Sequence, residues 1–234
     1  VDCGGVFGVF AGADAAAADI TGNYIGGIAG YADDYCTFLN CYSTGNVTGR
    51  DYVGGILGAD RYYPVEIVDC YSTGIINGAN HVGGIIGRGM YLYMGRCYSL
   101  ASVNGSSGIG GLEGTGKNNN IYDCVALNAG VSGMNNAGRI AGSASEAVLM
   151  TNNYAYSGLA CESKGDSFYD GLDLPHSQLL DAEFWKNNVH FSEEDWILED
   201  GKLPILKDLA GQSAIPDIRL ISFSTSPLTI SLDS

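Results

Sequence analysis

A motif written at nearly constant period through the first two thirds of the chain constrains the fold more than any local signal does. Residues 51–78 read DYVGGILGADRYYPVEIVDCYSTGIING: a short apolar run, a double glycine, a polar stretch, then DCYSTG and a last apolar run. The second glycine of the pair recurs at Gly27, Gly55, Gly84 and Gly111, in steps of 28, 29 and 27, and AGRIAG puts Arg139 at the same place 28 further on. The cysteine recurs at Cys41, Cys70, Cys97 and Cys124, and Asn153 takes its place 29 later. Closing glycines fall at Gly22, Gly49, Gly78, Gly105 and Gly133, always 5 or 6 residues before the next double-glycine position. Length variation therefore gathers between the double glycine and the cysteine, where a surface loop tolerates it. Self-similarity of this kind marks a stack of repeated units.

Each repeat of about 28 residues offers three strand candidates, which in the second copy are residues 53–57, 66–72 and 74–77. All are short, rich in β-branched or aromatic residues and bounded by Gly, Asn or Asp, with no helical spacing among them. The implied architecture is all-β: a coil with three faces, whose successive turns stack in parallel at about 4.8 Å so that equivalent residues lie above one another. Full copies span 23–49, 50–78, 79–105, 106–133 and a fading 134–158, giving a solenoid of about five coils over residues 1–158. Residues 1–22 read as an incomplete first copy, atypical as terminal units are. The chain opens in mid-repeat with VDCGGVFG, so removal of a leader is expected.

Strand alternation places Cys41, Cys70, Cys97 and Cys124 on one face with Ser43, Ser72, Ser99 and Ala126, all small enough for a narrow interior. Tyr42, Tyr71 and Tyr98 fall on the opposite face, with Val125 and Tyr154 continuing the row. Cysteines at one phase of every coil are expected to be buried free thiols, since side chains projecting in parallel rarely meet the disulfide dihedral. The Asn or Asp before the cysteine (Asn40, Asp69, Asp123, Asn152) suits a bend. Arg96 interrupts that series and suggests a surface Asp–Arg–Asp ladder with Asp69 and Asp123.

From about residue 159 the repeat stops. Residues 159–212 read as a cap: a short helix over 177–185 with Ser177 as N-cap, a strand at 196–199, a turn at Asp200 and Gly201, and a return strand at 202–206. Phe184, Trp185 and Trp196 are expected to cover the last coil, because an open sheet edge invites aggregation. Residues 213–234 read as a linker or the start of a further β-domain.

With 26 Asp and Glu against 11 Lys and Arg, the formal charge of −15 argues against nucleic acid or anionic membrane surfaces as partners. No apolar run approaches the length of a transmembrane helix. Candidate carboxylate pairs for glycan hydrolysis are Asp33 with Asp34, Asp60 with Glu66, and Glu113 with Asp123, but only Asp69 and Asp123 share a repeat phase, with Arg96 between them. The acidic run from Ser192 to Asp195 matches no metal spacing, and Gly108, Gly110 and Gly111 belong to the repeat rather than to a phosphate loop. No catalytic, metal or cofactor site is therefore expected, and a monomer is.

The pattern YVGGILG…IVDCYSTGIING resembles the GLUG repeat, found in large secreted and cell-surface bacterial proteins such as adhesin-like proteins and the non-catalytic regions of IgA-cleaving metallopeptidases. The resemblance covers residues 1–158, and FWKNNVHFSEEDWILEDGKLPIL resembles the segment that often follows such repeats. It implies a right-handed β-helix-like solenoid, export and surface attachment. It supplies no catalytic residues, since the metallopeptidase motif HExxH is absent around His81, His176 and His190. The expected role is a cell-surface adhesin-like or stalk region. It would bind a host or environmental glycan, matrix or protein through loops at 32–37, 59–64, 88–93 and 115–120. A structural spacer and a glycan-active β-helix enzyme are the alternatives, and the tyrosine row is either a contact surface or simple stacking along the ladder.

Overall fold

The computed structural model describes residues 5–7, 9–10, 22–33, 35–161, 170–209 and 212. The repeats stack as a parallel β-solenoid of five coils, each strand hydrogen-bonding to its counterparts in the coils before and after. Each coil turns through five short strands rather than three: in the second coil Asp51–Gly54, Leu57–Asp60, Val65–Val68, Tyr71–Ser72 and Ile75–Asn77. The extra corners come from backbone hidden inside the apolar runs. The run at 53–57 folds back at the double glycine. The run at 66–72 is broken where Asp69 takes a left-handed conformation (φ 51°), as do Asn40, Arg96, Asp123 and Asn152 above and below it, all between 48° and 56°. Asn and Asp tolerate that region, which accounts for their choice here.

The double glycine has a second reason. The two strands that flank it fold against each other with almost nothing between their backbones. A β-carbon at Gly55 would overlap Gly84 O, one at Gly84 would overlap Gly111 O, and one at Gly111 would overlap Arg139 O. The third glycine of the motif is equally constrained, because a side chain at Gly87 would strike Val53 N and Gly58 O in the neighbouring coil. Arg139 can stand at a glycine position because it lies in the last coil; its guanidinium instead donates to Asp173 at 2.6 Å and to Gly171 O at 3.3 Å.

Inside, columns of Val, Ile and Leu pack around the thiols. Cys41, Cys70, Cys97 and Cys124 stack as expected, the residues that follow them pairing in register (Tyr42, Tyr71, Tyr98, Val125). Each sulfur donates to the carbonyl two residues earlier at 3.2 Å. Burial pushes the Cys97 thiol up, which keeps it a donor. Asn153 does the same work at the fifth position, accepting from Cys124 N at 3.0 Å and donating to Ile121 O at 2.8 Å. Cys41, Cys70, Cys97 and Cys124 are free thiols. Cys3 lies outside the described residues, as do 213–234.

At the N-terminal end Val9–Phe10 extends one sheet in parallel, whereas Gly5–Phe7 runs antiparallel to Ala29–Asp33, so the first copy is not a simple partial coil. At the other end the helix read over 177–185 divides into His176–Leu179 and Ala182–Asn187, and Asp181, not Ser177, caps the second by accepting from Glu183 N. Trp196–Ile197 and Ile205–Leu206 form the expected hairpin, with Gly201 at φ 81°. Among the described residues no helix is long and apolar enough to cross a membrane.

Candidate functional site

The tyrosine row stacks as a ladder but is not a surface. Tyr42, Tyr71 and Tyr98 lie ring on ring at 5.3 and 5.0 Å, tilted by only 12° and 3°. Tyr71 and Tyr98 are 0% exposed. They form a second core with Trp185, Trp196, Phe191, Leu179 and Leu206 of the C-terminal segment, and the Tyr98 hydroxyl donates to Pro204 O at 2.5 Å. The segment thus lies along the flank of the solenoid rather than only over its end. Leu172–Leu174 adds one strand beyond the last tyrosine strand before the chain turns back.

The left-handed column beside the tyrosines fastens this segment down. Asn152 donates to Asn188 O, Asp123 meets His190 Nδ1 at 3.1 Å, Asp69 accepts from Trp196 Nε1 at 2.9 Å, and Asn40 donates to Asp195 at 3.0 Å. The segment therefore descends from the fifth coil to the first. Only half of the Asp–Arg–Asp ladder exists: Arg96 grips Asp69 through Nε at 2.8 Å and Nη2 at 2.7 Å, while Asp123 turns to Asn152 and His190. Asp69 is buried, so that ion pair is internal and not a surface feature. Trp196→Phe keeps most of the ring volume but strips one donor from a buried carboxylate. It is expected to cost about 1–3 kcal/mol, read as a lower urea midpoint; an unchanged midpoint would show that the indole bond contributes nothing net.

None of the carboxylate pairs considered from the sequence comes together as an open site. Asp34 lies outside the described residues. Glu66 faces solvent while Asp60 points inward, and Glu113 is in the core while Asp123 sits at the C-terminal segment. The approach that does occur was not anticipated. Glu113 occupies the inward column of Leu57 and Ile86, and its carboxyl fills the space that side chains at Gly89 and Gly116 would take. Asn119 Nδ2 donates to Glu113 Oε1 at 2.5 Å, and Asp60 accepts from Met90 N at 2.5 Å. Burial and the neighbouring Asp60 push the Glu113 carboxyl well up; burial raises Asp60 to about 6. Both carboxyls are fully buried. Among the described residues no three His, Cys, Asp or Glu side chains converge as metal ligands. In the acidic run, Glu193 pairs with Lys186 and Asp195 is taken by Asn40.

The loops between double glycine and cysteine carry the exposed aromatics. Tyr35, Tyr62, Tyr63, Tyr91 and Tyr93 are 36–67% exposed, and all lie on one edge of the solenoid. Tyr35, Tyr63 and Tyr91 are spaced by 28 and 28 residues, a signal available in the sequence once the repeat is known. Tyr93 stands on the outward face of its strand, in register with Thr37 and Glu66 on one side and Asn120 on the other. Leu39 and Leu149 are exposed at the first and fifth coils of the same face. The loop holding Tyr91 is clamped from both neighbouring coils. Asp60 accepts from Met90 N and Tyr91 N, while Asn119 accepts from Leu92 N at 2.9 Å and donates to Gly89 O at 3.1 Å.

Residues 21–48 match the family model of the GLUG motif. No curated protein matches the chain. Among solved structures, the chain is similar to a putative immunoglobulin A1 protease from Bacteroides ovatus, with a TM-score of 0.61 at 22% identity. The match covers 79% of this chain and 64% of that one, so this chain spans under two thirds of that structure's length, and the likeness is one of fold. The GLUG-motif match thus falls on the first full coil, and the repeat containing it continues in register through the next four coils of the β-solenoid.

Proposed function

We propose that this chain is a non-catalytic, adhesin-like part of an exported bacterial surface protein, and that it binds its ligand through the tyrosine-bearing loop edge. One observation carries the reading. Five exposed tyrosines gather on one edge of a rigid scaffold, whereas the tyrosines of the other row are covered by the chain's own C-terminal segment. Exposed aromatic clusters of this kind mark interaction sites on soluble proteins, and loops on a rigid frame are where binding residues concentrate. A spacer would have no use for them. An enzyme of the glycan-cleaving type needs two carboxyls facing a cleft, and the acid pair that approaches here, Asp60 and Glu113, is fully buried.

The test is a fourfold variant, Tyr35→Ser, Tyr63→Ser, Tyr91→Ser and Tyr93→Ser, displayed on beads and presented to host cells and immobilised glycans. Retention is expected to fall at least about tenfold, the loss of roughly one aromatic contact's worth of binding per decade, with the thermal melt unchanged. Full retention by the folded variant would leave the spacer reading in its place.

A further inference from the structure

We infer that the tyrosine edge takes a neutral, linear polysaccharide lying along the solenoid axis, one sugar residue against each coil. This rests on the ligand-binding reading above and names its substrate class.

The first argument is pitch. Coils repeat at about 4.8 Å, and the ring centres of Tyr35 and Tyr63 are 5.4 Å apart. That is close to the advance of one pyranose residue in an extended chain, so each coil can meet its own sugar without the polymer bending. A globular protein partner has no reason to match this period.

The second is the state of the rings. In the covered row, successive rings lie nearly parallel, so each face is used by its neighbour. On the loop edge, Tyr35 and Tyr63 are tilted by 38°. Tilted, half-exposed rings offer part of a face outward. The apolar C–H side of a sugar packs on such a negatively polarised face. Thr37, Glu66 and Asn120 share the outward column with Tyr93 and supply hydroxyl, carboxylate and amide partners for sugar hydroxyls.

The third is charge. A chain of formal charge −15 repels polyanions. The cations of these loops are already engaged: Lys117 pairs with Glu146 at 2.7 Å, Arg61 donates to the Tyr62 hydroxyl at 3.0 Å, and Arg88 lies over the Tyr52 ring at 4.3 Å. Uronate or sulfate polymers and phospholipid surfaces are thereby disfavoured, and an uncharged polymer is not. The clamped Tyr91 loop means little ordering cost falls on the protein side.

The experiment uses this chain in calorimetry and affinity electrophoresis against glucan, mannan, xylan and galactan and their oligosaccharides. Alginate and heparin serve as anionic comparators, and collagen and fibronectin as protein comparators. Binding to at least one neutral polymer is expected, with affinity rising from two sugars to about five and then levelling off as the coils are used up, and with little salt dependence. Tyr63→Ser and Tyr91→Ser should each weaken it about tenfold without altering the melt. Tightest binding to an anionic polymer, loss in salt, or affinity already complete with one or two sugars would overturn the proposal. If no neutral glycan binds while the fourfold variant still loses cell retention, the glycan is wrong and the ligand edge stands. If the fourfold variant loses nothing, both fall.

Discussion

Gly84→Ala is expected to leave the chain largely unfolded at room temperature, although it adds one methyl group to an apolar repeat. The new β-carbon would meet Gly111 O in the next coil and the Ser99 hydroxyl of its own. Neither can retreat. Gly111 O belongs to backbone that is hydrogen-bonded along the stack, and the Ser99 hydroxyl is bonded to Ser72 at 2.9 Å and to Asn128 at 3.1 Å. Separating the coils to admit the methyl would break ladder bonds on every sheet at once, because all five share one axis. Overpacking in a well-packed core costs about 1–3 kcal/mol where it can relax, and more where backbone is the obstacle; stabilities of whole domains are only about 5–15 kcal/mol. The control is Arg139→Ala at the same phase of the last coil. It removes a partly exposed ion pair with Asp173 and is expected to cost under about 1 kcal/mol. Similar urea midpoints for the two variants would show that the double glycine is not a steric requirement of the stack.

The contrast between these two positions also shows what could be read from the sequence. The period alone placed Cys41, Cys70, Cys97 and Cys124 in one column and assigned Asn153 to its end, because in a parallel stack register is arithmetic. The same arithmetic sent Tyr42, Tyr71 and Tyr98 outward, and there it stopped. What covers an outward face depends on residues 170–212, which have no period, and complementarity between Trp196 and Tyr71 or Asp69 leaves no trace in spacing. Corners were undercounted because a left-handed residue such as Asp69 looks like any polar residue inside a strand run. The sequence offers Glu113 as a candidate hydrolytic carboxylate with Asp123, yet its register with Leu57 and Ile86 puts it in the core.

That buried glutamate makes the second large prediction, a solenoid that is more stable in mild acid than at neutral pH. Among the described residues Glu113 Oε2 has no hydrogen-bond partner, and its other oxygen accepts from the Asn119 amide. A neutral carboxyl bears that; a carboxylate does not. The charged or polar groups around the pair are Asp60, Arg88 and Asn119, together with the backbone N–H groups of Met90 and Tyr91. Asp60, raised to about 6 from an ordinary 3.8, binds its proton more tightly in the folded chain than in the unfolded one. Folding then takes up protons between about pH 4 and 6, so stability from this group is present at the acid end and is lost as pH rises through 6. Glu113 is displaced in the same direction and extends the loss to higher pH. Asp60 alone should make the protein about 2 kcal/mol more stable at pH 4.5 than at pH 7.5, measured as the shift in urea midpoint at constant slope. Glu113→Gln should remove the Glu113 share of this pH dependence and leave that of Asp60, while keeping the volume that fills the cradle at Gly89 and Gly116. A wild-type midpoint that rises from pH 4.5 to 7.5 would mean that these carboxyls are hydrated, and that the loop bearing Tyr91 is not held by a buried acid pair.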